Sequence, residues 1–263
     1  MTTPAVALTE PVGPQGAPLI VLGPSLGTST ILWERVIPIL AGAYRVTAWD
    51  LPGHGASAPA LEGFTVADLA DAVASALAAL AVDRVWYAGV SLGGATGLEL
   101  MLRHPALVEA GVIIASGAQL GEPVAWHERA AQVRAQSTSS LIIASAQRWF
   151  APGSIEREPD LSGRLLHALQ DADDESYARC CEALAAYDVR DRLVEIASPV
   201  LALWGEHDGV APEAKSLEIA AGVGDGRAAR IDGAAHLPPA ERPDETARAV
   251  LDFFDELSGR MLR

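Results

Sequence analysis

The sequence predicts an α/β fold in which a mostly parallel sheet is flanked by helices and carries an inserted helical cap. Short apolar runs bounded by Gly, Pro or Asp alternate with stretches whose apolar residues recur every three or four positions, the signature of strand then helix. The alternation stops between about residues 121 and 192, where helical patterns follow one another with no strand between them. Alanine, leucine and valine dominate while aromatics reach only 5%, which suits buried parallel strands under alanine-rich helices better than a β-sandwich.

In chain order, buried strands are expected over residues 19–22, 45–49, 85–90, 110–115, 200–204 and 228–231. Core helices are expected over 66–80, 93–102 and 245–257. The first of these places Asp68 and Asp71 opposite an apolar stripe. Four further helices, over 124–135, 139–150, 161–169 and 175–186, make up the cap. The turn Ala151-Pro152-Gly153-Ser154 and the acidic run at 171–175 connect them. Repeated strand-then-helix units imply a parallel sheet wrapped by helices. The chain therefore divides into a core over 1–120, a cap over 121–192 and the rest of the core over 193–263.

A chain of 263 residues with 50% apolar content can bury one substantial core. The net charge of −15 argues against nucleic acid or an anionic membrane as partner, and an anionic substrate would need a local basic pocket. The two cysteines, Cys180 and Cys181, are adjacent, so they are poor material for a disulfide and suit a reducing compartment. The N-terminus lacks the basic start and long apolar run of a signal peptide, and no stretch approaches the ~18 apolar residues of a span. A cytoplasmic protein with a small-molecule partner is expected, and homo-oligomer formation stays open.

The strongest chemical signal is Gly89-Val90-Ser91-Leu92-Gly93, after the strand at 85–90 and before a helix. This is the setting of a nucleophile elbow, in which flanking glycines let strand and helix approach while the serine projects above the sheet edge. That setting specifies the α/β-hydrolase fold, in which the order is serine, acid, histidine. A serine hydroxyl needs a histidine base, which in turn needs a carboxylate to fix its tautomer. His236, in the loop after the last strand, is the candidate base. Asp208, just past the strand at 200–204, is the candidate acid, with Glu206 its competitor and His207 the competitor for the base. The backbone amides of Leu92 and Leu26 are the candidate oxyanion donors. Asp50 and His54, in Asp50-Leu51-Pro52-Gly53-His54-Gly55-Ala56-Ser57, precede Ser91 and read as a structured turn.

Four segments make the chain resemble the 3-oxoadipate enol-lactonase family of α/β-hydrolases. They are Ser25-Leu26-Gly27-Thr28 with Trp33, the elbow through Gly94, the stretch 122–134 leading to Arg148-Trp149-Phe150, and Tyr177-Ala178-Arg179-Cys180-Cys181. The resemblance implies opening of an unsaturated γ-lactone bearing an acetate arm, giving 3-oxoadipate in the β-ketoadipate pathway of aromatic degradation. Ser91 would attack the ring carbonyl, and neither metal nor organic cofactor would be required. Arg134 and Arg148 are the candidates to bind the substrate carboxylate, and Trp126 and Trp149 to line the pocket, against a competing reading as solvated or packing residues. Leu237-Pro238-Pro239-Ala240, after the candidate base, departs from the family pattern. An esterase or lactonase of another small ester shares the triad, as does a carbon–carbon bond hydrolase or cofactor-free haloperoxidase. A non-catalytic ligand-binding protein on the same fold is the alternative from another class.

Overall fold

The computed structural model of the chain describes residues 4–261; the first three and the last two residues lie outside the described residues. The strands are β1 (Ala7–Leu8), β2 (Leu19–Gly23), β3 (Arg45–Asp50), β4 (Val85–Val90), β5 (Val108–Ile114), β6 (Val200–Gly205) and β7 (Gly226–Ile231). The helices are α1 (Ile37–Leu40), α2 (Val66–Ala78), α3 (Leu92–Arg103), α4 (Pro123–Gln136), α5 (Ile142–Trp149), α6 (Ser154–Arg157), α7 (Pro159–Asp171), α8 (Asp174–Ala185), α9 (Glu213–Gly222), α10 (Pro238–Glu241) and α11 (Pro243–Met261).

The sheet runs β1-β3-β2-β4-β5-β6-β7, parallel throughout except for β1, which pairs antiparallel to β3 at the edge. Each of the six expected strands forms, shifted by a few residues at most. β1 escaped the sequence reading because two residues in a proline-rich stretch show no period. So did α9, whose sequence EAKSLEIAAG buries only Ser216 and Ile219 and carries too weak an apolar stripe. The expected helix at 139–150 is broken into a 3-10 turn, Thr138–Leu141, followed by α5.

The central strands β2 and β4 are buried along their whole length, so their near-continuous apolar sequences need no polar face. α2 is started by a capping box: the Thr65 hydroxyl accepts from the Asp68 amide at 3.1 Å, and the Asp68 carboxylate accepts from the Thr65 amide at 2.8 Å. Between β5 and β6 the described chain is helical only, with α4 lying along α8. No helix among the described residues is long and apolar enough to cross a membrane.

The inserted helices are seated on the turn after β3. The Asp173 amide donates to the Gly53 carbonyl at 2.8 Å, the Ala60 amide donates to the Ser176 hydroxyl at 3.0 Å, and the Tyr177 ring stacks on His54. His54 itself is fully buried, with Nδ1 2.9 Å from the Pro52 carbonyl and Nε2 accepting from the Gly27 amide at 3.3 Å. A carbonyl can only accept, so Nδ1 carries the proton and the ring is neutral. The Asp50 carboxylate accepts from the amides of Thr30 and Ala56 at 2.7 and 2.9 Å. Asp50 and His54 thus hold the loop after β2 from below.

Burial pushes the His54 imidazole down to about 4. The unfolded chain therefore takes up a proton here that the folded chain refuses, so this contribution to stability is full above the unfolded value of ~6.5 and is lost as pH falls towards 4. Urea unfolding should show stability falling by up to about 3 kcal/mol between those limits on this account. His54→Gln should be less stable at pH 7 and show a shallower dependence over the same window.

Candidate active site

Ser91 sits between β4 and α3 with φ 54° and ψ −117°, a backbone conformation costing roughly 1–3 kcal/mol for a residue with a side chain. The surroundings over-determine it. Its amide donates to the Ile114 carbonyl at 2.9 Å, and its carbonyl accepts from the Ser116 hydroxyl at 2.7 Å and from the Ala95 amide at 2.9 Å. The elbow's glycines are required by contact: a β-carbon at position 93 would stand 2.5 Å from the Pro24 carbonyl oxygen and 2.6 Å from the Gly23 carbonyl carbon. The same closeness brings the loop after β2 alongside the start of α3, where the Gly93 amide donates to the Pro24 carbonyl at 2.9 Å.

That loop carries Leu26. Among the described residues neither the Leu26 amide nor the Leu92 amide is spent on a backbone carbonyl, and Leu26 lines the cavity into which Ser91 opens. Gly27, at φ +81°, adopts a conformation that favours glycine, and a β-carbon there would strike Leu169, Trp149 and Tyr177. The inserted helices therefore press directly on the loop.

His236 is buried, and its Nδ1 lies 3.0 and 3.2 Å from the two carboxylate oxygens of Asp208. Asp208 Oδ1 also accepts from the amides of Val210 and Ala211 at 2.7 and 3.1 Å, so the carboxylate has no freedom to turn away. Burial raises the Asp208 carboxyl, but the charge and hydrogen bond of His236 and the two amides outweigh it and hold the group below the usual carboxylate range. Glu206, the competing acid, points elsewhere, its Oε2 accepting from the Gly233 amide at 2.9 Å, and His207 is exposed. The ends of β6 and the His236 loop meet at Gly205, where any β-carbon would collide with the Ala234 and Ala235 carbonyls.

Ser91 and His236 open into one cavity of about 230 Å³, shared with Ser25, Leu26, Trp126, Arg129, Ser145, Arg148, Trp149 and Tyr177. Its size, below the ~300 Å³ at which drug-sized sites begin, suits a small ligand. Arg129 lies over the Trp126 ring, 4.8 Å from its centre. Burial, then repulsion from Arg129, pushes the Arg148 guanidinium below its ordinary value, opposed by Tyr177. Among the described residues, neither arginine has a carboxylate within ion-pairing distance. Glu122 stands at the exposed mouth.

Arg134 is a correction to the sequence reading. It lies outside the cavity, paired with Glu175 at 2.8 Å and Glu182 at 2.5 Å, so its charge is already neutralised. Arg129 is the arginine of the same helix, α4, that lines the cavity. The available signal was spacing: Trp126 and Arg129 stand three residues apart and share a helix face, whereas Arg134 is turned about 140° from Arg129. Tyr177 and Ser145 were also missed as cavity residues; nothing in a lone serine or a buried tyrosine marks them in the sequence.

Comparison with known proteins places these features in context. The alpha/beta hydrolase fold family matches residues 18–243. A 3-oxoadipate enol-lactonase of Acinetobacter baylyi is 35% identical over 198 residues, 75% of this chain and 74% of that protein. A Yersinia enterocolitica protein named as the carbamate hydrolase RutD is 32% identical over 250 residues, 90% of this chain and 87% of its own. The crystal structure of the enol-lactonase from Burkholderia xenovorans superposes with a TM-score of 0.91 at 32% identity, over 95% of this chain and 96% of that one.

The geometry separates the two candidate acids in function. Asp208→Asn should lower kcat on p-nitrophenyl acetate by on the order of 10³–10⁴, because the imidazole loses the partner that orients it. Glu206→Gln should change it by less than about threefold, having only a loop amide to lose. Steady-state hydrolysis by the two purified variants checks both.

Proposed function

We propose, since this chain belongs to the α/β-hydrolase fold family and within it to the 3-oxoadipate enol-lactonase family, that it is a serine hydrolase opening 3-oxoadipate enol-lactone to 3-oxoadipate. The observation that carries the substrate class is the arginine pair. Arg129 and Arg148 face the same small cavity as Ser91 and His236, with no carboxylate among the described residues within ion-pairing distance of either, in a chain of net charge −15. A substrate without a negative group would leave the half-buried Arg148 charge uncompensated, which is costly. A carboxylate on a short arm satisfies it with charge-assisted hydrogen bonds.

In this reading His236 Nε2 takes the proton of Ser91 Oγ as that oxygen attacks the lactone carbonyl. Asp208 keeps the proton of Nδ1 in place and stabilises the imidazolium that forms. The amides of Leu26 and Leu92 receive the developing oxyanion; both belong to rigid backbone, so little reorganisation is needed as charge appears. Collapse of the tetrahedral intermediate expels the ring oxygen as an enol, to which His236 returns the proton. The leaving group stays tethered to the acyl enzyme, because the bond broken lies in a ring. His236 then activates a water that releases the acid from Ser91, and the enol relaxes to the ketone. Every step is proton transfer or acyl transfer, so the triad and two amides suffice. The same machinery would serve another small carboxylate-bearing ester, and comparing turnover of the lactone with that of such esters distinguishes the two. The proposed pathway role is in bacterial aromatic degradation, in the cytoplasm.

Ultraviolet loss of freshly generated 3-oxoadipate enol-lactone should be rapid with the wild type and fall to the uncatalysed rate with Ser91→Ala. No loss with folded wild type overturns the substrate assignment. Arg148→Met should raise KM for the lactone by roughly 10- to 100-fold, the value of about one charged hydrogen bond, while leaving KM for a neutral p-nitrophenyl ester nearly unchanged. Equal effects on both esters would remove the arginine from carboxylate recognition.

A further inference from the structure

The element after the candidate base carries a buried acid that neither the triad nor the arginine pair uses. Glu241 closes the single turn α10, which begins directly after Leu237 with Pro238 and Pro239 at its first positions. Proline suits a helix start, where its missing donor costs nothing, so the two prolines force the chain to turn at once. The turn sends the Glu241 side chain back beneath the His236 loop. It is 5% exposed, and an ion so buried must find donors.

Glu241 finds four, divided between its two oxygens. Oε1 accepts from the amides of Ala235 at 2.7 Å and Leu237 at 3.3 Å, the residues on either side of His236. Oε2 accepts from the amide of Ala151 at 2.6 Å and from the Ser154 hydroxyl at 2.8 Å, in the joint between α5 and α6 of the inserted helices. Ser154 is held in turn by the Arg157 guanidinium at 2.8 Å. The amide of His236 itself donates to the carbonyl of Trp149, which lines the cavity. One face of the His236 loop is thus fixed by the inserted helices through Trp149, and its flanks are fixed through Glu241.

We propose that Glu241 is a positioning residue: its carboxylate clamps the His236 loop to the 151–154 joint, so that the seating of the inserted helices sets the aim of the imidazole at Ser91. The proposal rests on His236 acting as the base. It treats the triad as a four-part device in which the orientation of the histidine ring comes from Asp208 and the orientation of its backbone from Glu241. A misplacement of about 1 Å at a reacting group costs up to 10²-fold in rate, so a loosened loop is read in turnover rather than in binding.

The test measures kcat and KM on a neutral p-nitrophenyl ester, with kcat expressed per active site titrated with a serine-directed phosphonate. Glu241→Gln keeps size and one acceptor oxygen but turns an NH₂ towards donors on one arm. It should lower kcat per titrated site about tenfold or more with KM within about threefold. Ser154→Ala, which removes a single bond of the joint arm, should lower kcat per site about threefold. A structural role alone would reduce the number of titratable sites and leave turnover per site where it was, and that result overturns the proposal. If Glu241→Gln does not fold, Ser154→Ala decides on the same readouts. A wild type that the phosphonate fails to titrate would refute the Ser91–His236 reading itself, whereas a titratable wild type with unaltered variants refutes only the role of Glu241.

Discussion

The close approach of backbone to backbone around Ser91 is the constraint on which the site depends. A serine at positive φ is disfavoured in isolation and survives because the end of β5, Ser116 just past it and the first turn of α3 hold it there through three hydrogen bonds to its peptide groups. That crowding also fixes the loop after β2. The Gly93 amide, 2.9 Å from the Pro24 carbonyl, ties that loop to the start of α3, and Leu26 of the loop lines the same cavity as Ser91. The placement of the candidate nucleophile and of the loop carrying the candidate oxyanion donor follows from one packing event, and the neutral, buried His54 and the Asp50 carboxylate support that event from the far side of the loop.

Electrostatics are arranged by exclusion. Most of the arginines of this acidic chain are paired on its surface, as Arg103 is with Asp71 and Arg190 with Asp188. The cavity holds two that are not. Their shared position sets two cationic side chains in one cavity of a protein whose net charge is −15. Positive charge is therefore placed at one small opening beside Ser91, which is what the proposed carboxylate-bearing substrate requires.

Much of this was legible in the sequence because it depends on short-range pattern. The Gly89–Gly93 elbow, the six core strands and the serine, acid, histidine order are each written in a few consecutive residues whose spacing follows from backbone geometry. Asp208 was the candidate acid from its place just past β6, with Glu206 its competitor, and the structure sets Asp208 rather than Glu206 against His236. What was not legible involves partners distant in sequence. Arg134 was misplaced because Glu175 and Glu182, some forty residues on, claim it, and no local feature announces that pairing. Glu241 drew no notice for a similar reason: two of its four partners lie nearly ninety residues upstream. The prolines before it, which looked like a departure, are what turn it inward.

The inserted helices leave the sheet after β5 and return to it at β6, two strands that are hydrogen-bonded neighbours. Both ends of the insertion are thus rooted side by side, and removing everything between them would break no ladder. Such an arrangement permits lineages to trade one insertion for another while inheriting the sheet unchanged, so that substrate preference and reaction chemistry can drift on separate clocks. The joint at 151–154 limits that freedom. A transplanted insertion must arrive with an amide and a hydroxyl positioned for Glu241, or it leaves an orphaned anion under the histidine, which gives successful grafts a recognisable signature at two otherwise unremarked positions.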